Sequence, residues 1–532
     1  VVQKLVYPPI PKYFNTTGPC LPGRHYMLPP LARVPEAQAL VGRGGYFGLH
    51  APRQSGKTTF LLAFAKALTA AGHYVALYTS CEIAEAAGDD AEAAQEIIVE
   101  RMIDRAAQQL PPELRPPPLD GSNRQARLTA FLRAWSEACP RRLVILFDEI
   151  DALRGQSLIS VLRQLRDGFE LRPEHAPWSV VLCGLRDVRD DKMAAGGDAE
   201  QLGTASPFNV KVESLRLDAL TPAEVEALLA QHTAETGQRF EPDAVAHVAE
   251  LSGGHPWLVN ALGRELVDKL KVEGPITRAH VEDAKERLVL ARATHLDSLV
   301  HALTEDRVRR VIEPILEGEQ PVYDAVFNDD VAYVVDLGLC EHPPLRIANP
   351  IYTEVIARVL SGPAQASVFA DPRTFVRADG RFDVDVLLRE FAAFWVEQGE
   401  SMIFSGTYAE SGAQLVLMAF LQRVVNGGGV VTREYGIGRR RIDLLITWPW
   451  TDADGKRQVQ REALELKVWR DGRRDPLDEG LRQLDAYLER VGLAEGVLVL
   501  FDRRKDAAPL AARVREEAAV TPSGRRVRVW RG

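Results

Sequence analysis

Four short apolar runs recur between residues 46 and 184: YFGLH, YVALY, RLVILF and WSVVLCG. Runs with helical period separate them. Strand text that alternates with helix text cannot build an all-β or an all-α core. It predicts a parallel α/β sheet.

The first run leads into APRQSGKTT, which opens the helix TTFLLAFAKAL. The pattern G-x-x-x-x-G-K-[ST] holds phosphate because backbone N–H groups and a helix N-terminus converge there. Ala51 stands where the pattern has its first glycine. Gln54, Ser55, Gly56 and Thr59 would complete the cradle around ATP. Lys57 would reach the β- and γ-phosphates, and the Thr58 hydroxyl would hold Mg²⁺. Downstream, RRLVILFDEID is an apolar strand ending in Asp148-Glu149. Asp148 would bind the magnesium through water, and Glu149 would orient or deprotonate the attacking water. The run WSVVLCG ends in LRDVRD, which offers Arg186 and Arg189 as γ-phosphate sensors.

Strand text stops near residue 213. Thr221-Pro222-Ala223-Glu224 has the form of a capping box with proline at the first helical position. Mostly helical text follows to about Leu360. Within it, LSGGHPWLVNAL carries Gly254-His255-Pro256. These residues would also suit an ordinary Gly-Pro turn. In order, however, the phosphate loop, the DE strand end, the helical text and G-x-P resemble the STAND class of AAA-related P-loop ATPases. The resemblance covers about residues 20–360. It implies that His255 and Pro256 lie against the nucleotide base, and that DDVAYVVDLGLC…PLRIANPIYTEVIARVL forms a winged helix. The class often assembles, so a homo-oligomer is expected.

A second constellation lies in Arg441–Arg470, RIDLLITWPWTDADGKRQVQREALELKVWR. Asp443, Glu465 and Lys467 interrupt apolar strand text. A buried charge is costly unless it is paired or binds a metal. Positions 465 and 467 share a strand face. Asp443 would come from the preceding strand of a hairpin. Two neighbouring carboxylates repel unless a divalent cation sits between them. A nearby lysine would stabilise charge developing at phosphorus. The alternative is a plain cross-strand ion pair.

Asp443 with E-x-K resembles the core of the PD-(D/E)XK nuclease superfamily. The order of elements, helix, strand with Asp, strand with E-x-K, helix, strand, is similar as well. That likeness implies metal at Asp443 and Glu465, with Mg²⁺ or Mn²⁺ as the ion. It also assigns Lys467 to the scissile phosphate, and a role to Gln483 and Tyr487, one turn apart on the later helix. Ile442 replaces the proline that usually precedes the aspartate. Glu410 or Gln414 would supply the first-helix ligand.

Six segments follow from these readings. Residues 1–45 are rich in Pro and Gly and read as an extended strap, and 46–212 as the P-loop core. Residues 213–285 read as a helical lid, 286–362 as a winged helix, 363–383 as a linker, and 384–532 as an αβββαβ nuclease-like domain. The net charge of −9 argues against a generally basic nucleic-acid coat but leaves room for a local basic groove. GIGRRRID, WRDGRRDP, FDRRK and SGRRVRVWRG would line it. The five cysteines are scattered without a CxxC pair, which fits a reducing cytoplasm. No membrane span or signal peptide is expected. The resulting expectation is an ATP-regulated, metal-dependent nuclease acting on nucleic acid, DNA in preference to RNA, with a role in defence or mobile-element biology. The alternative is a regulatory ATPase whose C-terminal fold only binds DNA or a partner.

Overall fold

The computed structural model describes residues 11–118, 124–185, 211–291, 294–316, 328–366, 375–405, 416–418, 420, 421, 425, 429–434 and 443–532. They form two compact units, Val1–Ala291 with Tyr333–Leu339, and Arg292–Ala332 with Cys340–Gly532.

The first unit holds five strands: β1 (Tyr46–His50), β2 (Tyr74–Ser80), β3 (Arg142–Asp148), β4 (Ser179–Gly184) and β5 (Lys211–Arg216). They pair in the order β2-β3-β4-β1-β5, and every pairing is parallel. Alternation along the strands feeds two cores. Val75, Leu77, Ile145, Phe147 and Leu182 pack on one face with Ile98, Phe131 and Leu162 of the covering helices. Phe47, Leu49, Ala76, Leu146 and Val181 pack on the other with Leu40, Leu61 and Phe64. Strands buried on both faces read as continuous apolar runs, which is why four of the five are visible in the sequence. The fifth, KVESLR, lies at the sheet edge and carries charges along its length. Its polar alternation hides it.

The N-terminal segment is not wholly extended. Residues Glu36–Gly42 form a helix whose Ala37, Leu40 and Val41 are buried. A helical layer follows β5: Pro222–Thr236, Pro242–Ser252, Pro256–Arg264 and Arg278–Leu290. Thr221 caps the first of these. Its hydroxyl accepts from the Glu224 N–H at 3.2 Å, and Glu224 Oε2 accepts from the Thr221 N–H at 2.8 Å.

The second unit contains helices Thr294–Ala302, Asp306–Leu316 and Pro350–Ala366 and a short hairpin of β6 (Cys340–Glu341) and β7 (Arg346–Ile347). It also contains a six-stranded sheet of β8 (Val430–Glu434), β9 (Asp443–Thr451), β10 (Arg457–Trp469), β11 (Glu495–Asp502), β12 (Arg515–Val520) and β13 (Arg526–Arg531), in the order β12-β13-β11-β10-β9-β8. Helix Val384–Ser405 contributes Phe391 and Trp395 to one sheet face. Helix Leu477–Val491 contributes Leu484 and Leu488 to the other.

Two expectations change here. The end of the segment read as a linker packs into this unit: Phe375 and Phe382 are each 1% exposed, and Val376 bridges Phe382. Nor is SGRRVRVWRG a free basic groove. It forms β13, with Val527, Val529 and Trp530 buried. Its arginines are spent on carboxylates: Arg525 on Asp485 at 2.7 Å, Arg526 on Glu495 at 3.5 Å, and Arg531 on Asp475 at 3.0 Å and Glu517 at 3.2 Å.

Candidate functional site

The loop between β1 and helix Lys57–Ala70 turns through two left-handed residues, Gln54 at φ 57° and Gly56 at φ 99°. Ala51 is not left-handed, and its methyl is packed in the core beneath the loop. Glycine is therefore not required by the backbone at that position. The Lys57 ammonium donates to the Ala51 and Pro52 carbonyls at 2.7 and 2.8 Å. Ser55 donates to the same Pro52 carbonyl at 2.8 Å. Burial pushes the Lys57 pKa below the usual lysine value, while Cys183, Asp148, Asp151 and Glu149 oppose the shift. The loop thus holds its cation on backbone carbonyls, which an entering phosphate would replace.

Parallel register puts Ser80, the last residue of β2, beside Asp148, the last of β3. The Asp148 carboxylate accepts from the Thr58 hydroxyl at 2.7 Å, the Tyr78 phenol at 3.1 Å and the Glu149 N–H at 3.0 Å. The Thr58–Asp148 pair fits a hydroxyl-and-carboxylate magnesium site, with hard oxygen donors of the kind the ion takes. Glu149 itself is left-handed, φ 53°, and accepts from the Ser80 hydroxyl at 2.8 Å. Burial raises its pKa, Ser80 lowers it, and the neighbouring Asp148 raises it again. A raised pKa suits a carboxylate that handles a proton of water.

Residues of the N-terminal segment and of helix Pro256–Arg264 form the opposite wall. The Cys20 N–H donates to Thr59 Oγ1 at 3.0 Å, and the Trp257 indole donates to the Thr16 carbonyl at 2.9 Å. One short segment therefore joins the phosphate-loop helix to helix Pro256–Arg264. Gly254, at φ 72°, sits where a Cβ would lie 2.0 Å from the Leu220 carbonyl oxygen, so only glycine fits. That turn sets His255 against the loop, with Nε2 3.1 Å from the Arg53 carbonyl. Burial lowers the His255 pKa to about 4, so the ring is neutral at pH 7. The loop, Asp148, Glu149, strap residues between Asn15 and Cys20, and Pro256, Trp257 and Asn260 enclose a cavity of about 460 Å³.

The second constellation is placed by a hairpin. In the antiparallel pairing of β9 and β10, Asp443 stands directly opposite Glu465. Opposed positions share a sheet face. Leu445 and Ala463 pack against Leu484 and Tyr487 of helix Leu477–Val491, while Leu444 and Leu464 pack against Phe391 and Trp395. Alternation then puts positions 443, 465 and 467 on the side covered by helix Leu477–Val491, which carries Gln483 and Tyr487. Glu465 is 0% exposed. The Lys467 ammonium lies 2.9 Å from its Oε1, and among the described residues no donor meets either oxygen in hydrogen-bonding geometry. Gln483 donates to Glu479 at 3.0 Å, and its own Oε1 is buried without a partner among the described residues.

Arg186, Arg189, Glu410, Gln414 and Arg439–Arg441 lie outside the described residues. Among the described residues no three His, Cys, Asp or Glu side chains cluster as a metal group. Sequence reasoning missed Tyr78, Ser80, Thr16, Cys20 and Asn260. Tyr78 and Ser80 had a signal in the polar end of YVALYTS, which parallel pairing must bring beside DE. No helix among the described residues is long and apolar enough to cross a membrane.

No protein-family model and no curated protein matches the chain. Among solved structures it is similar to the Walker-type ATPase PABY2304 of Pyrococcus abyssi, at 12% identity over 62% of this chain and 96% of that one, with a TM-score of 0.44. It is also similar to Cdc6p from Pyrobaculum aerophilum, at 14% identity over 63% and 93%, TM-score 0.35. A third is the RuvB Holliday junction branch migration motor of Thermotoga maritima, at 16% identity over 61% and 92%, TM-score 0.33.

Proposed function

We propose that the first unit binds and hydrolyses ATP with Mg²⁺. The observation that carries this reading is the convergence of Lys57, Thr58, Asp148 and Glu149 on one 460 Å³ cavity at the C-terminal ends of parallel strands. Ligands of open α/β sheets bind at those ends. Lys57 leaves its loop carbonyls for the β- and γ-phosphates. Thr58 and Asp148 hold the ion, which when bound offsets phosphate charge. Glu149 orients the attacking water, and Ser80 holds Glu149 in place. His255 and Pro256 act as the lid contact, Arg186 as the γ-phosphate sensor, and residues 286–362 as a winged helix.

In the second unit, the buried and under-partnered Glu465, facing position 443 and paired with Lys467, favours a metal-dependent phosphodiesterase of the PD-(D/E)XK kind. Asp443 and Glu465 hold Mg²⁺ or Mn²⁺, Lys467 acts at the scissile phosphate, and Gln483 assists. Nucleic acid is the substrate, DNA in preference to RNA, and ATP turnover regulates the cutting. The competing reading is a nuclease fold that binds DNA or a partner without cutting. It draws on the Lys467–Glu465 ion pair, which offsets the carboxylate's charge without metal.

The test is incubation of the purified protein with labelled single- and double-stranded DNA and RNA, with and without Mg²⁺, Mn²⁺ and ATP. Cleavage that needs metal and is lost in Asp443→Ala supports the enzyme. Binding without cleavage under every condition leaves the binding module.

A further inference from the structure

Beside the phosphate cavity lies a second, apolar cavity of about 80 Å³, walled by Tyr26, Met27, Leu28, Phe60, Leu217 and Leu220. Cys20, Gly56, Thr59, Pro256 and Asn260 line both spaces. A ligand whose phosphates sit on the loop would place a flat apolar group here. Apolar walls give such a group affinity but no identity. A polar atom must supply that.

Asn260 is that atom's source. It is 7% exposed, and its Nδ2 donates to the Pro256 carbonyl at 2.8 Å, one helical turn back. This bond fixes which end of the amide is free. The remaining Oδ1 is buried and, among the described residues, has no hydrogen-bond partner. An orphaned buried acceptor is costly and is normally paired. The residue lines both cavities, and its terminal amide torsion is soft.

Resting on the nucleotide reading above, we infer that Asn260 reads the base, selecting a purine that presents an amine at its 6-position. Adenine carries a donor at its 6-position. Guanine and hypoxanthine carry a carbonyl there, which would set acceptor against acceptor. The amide cannot reverse to serve them without giving up the Pro256 bond. Discrimination arises because the wrong base leaves a buried polar group unpaired.

The experiment measures dissociation constants for ATP, GTP and ITP on the full chain, in wild type, Asn260→Ala and Asn260→Ser. ITP replaces the 6-amine of ATP by a carbonyl and carries a proton on N1. Wild type should bind ATP at least about tenfold tighter than ITP, and both variants should bring that ratio near one, chiefly through weaker ATP binding. Equal wild-type affinity for ATP and ITP overturns the inference without needing a variant. So does a preference that survives in Asn260→Ala or Asn260→Ser. If no triphosphate binds wild type, the nucleotide reading itself falls and takes this inference with it. Binding of all three without preference removes the inference alone.

Discussion

Asp148 and Glu465 are both carboxylates at sheet positions with almost no exposure, 1% and 0%. They are solvated in opposite ways. Asp148 is met by a threonine hydroxyl, a tyrosine phenol, the Cys183 thiol and a backbone N–H, none of them charged. Among the described residues Glu465 is met by one ammonium, that of Lys467. Fixed neutral dipoles keep the first site ready for a cation that comes and goes with each nucleotide. A buried ion pair leaves the second site dependent on its lysine, since removing one partner exposes an uncompensated charge.

The largest test of this contrast is catalytic. Glu149→Gln keeps the shape of the first site and removes its proton acceptor. ATP binding should persist while hydrolysis falls by about 10²–10⁴-fold. Lys57→Ala should instead abolish tight ATP binding. Calorimetry and phosphate release separate the two, and wild-type turnover in Glu149→Gln would remove the first site's assigned chemistry.

Next comes the stability of the second unit. Lys467→Met should cost about 3–5 kcal/mol, because the Glu465 carboxylate stays buried without its partner. The double change Glu465→Gln with Lys467→Met should recover most of that loss, since both charges are gone. Urea unfolding monitored by tryptophan fluorescence reads the difference. Added Mn²⁺ should stabilise wild type, and the double variant should lose that response. A Lys467→Met variant as stable as wild type would mean that the carboxylate is better solvated than its single partner implies.

The pH dependence of the first unit is smaller. The His255 pKa falls from an ordinary 6.5 to about 4 through burial. Between those values the unfolded chain binds a proton that the folded chain refuses. Stability attributable to this ring is therefore complete above about pH 6.5 and declines as pH falls toward 4. The loss approaches about 3 kcal/mol. Unfolding free energies measured from pH 7.5 to 4.5 should slope less steeply in His255→Gln. Parallel slopes would show that the ring is not desolvated against the loop.

How much of each site could be read beforehand differs for a related reason. The phosphate loop is a local string, so Lys57 and Thr58 announce themselves. The four doubly buried strands do so as well. Asp443, Glu465 and Lys467 were legible because charges break an apolar period. Their shared face needed only the alternation of a hairpin. Neutral partners leave no such trace: nothing in YVALYTS marks Tyr78 and Ser80 as supports for the next strand's carboxylates until parallel pairing is drawn. RVRVWR misled in the opposite direction. Its arginines read as a groove, whereas its valines alternate as a strand and its charges are consumed by Glu495, Asp475 and Glu517.

The smallest effect sharpens the comparison most. Tyr78→Phe removes one of several donors to Asp148 and leaves the ring's packing in place. Burial, with Asp148 beside it, raises the Tyr78 pKa far above the usual tyrosine value, so the phenol remains a donor at any working pH. Thr58 and the Glu149 N–H still hold the carboxylate after the change. The cost should therefore be about 1 kcal/mol, that of one hydrogen bond among several. It should show as a lower urea midpoint with an unchanged slope. Magnesium-dependent ATP affinity should move little, because the hydroxyl and carboxylate that face the ion remain. A loss of 3–5 kcal/mol, equal to that of Lys467→Met, would mean that Asp148 too hangs on a single partner. The contrast between a site held by neutral dipoles and a site held by one ion pair would then be gone.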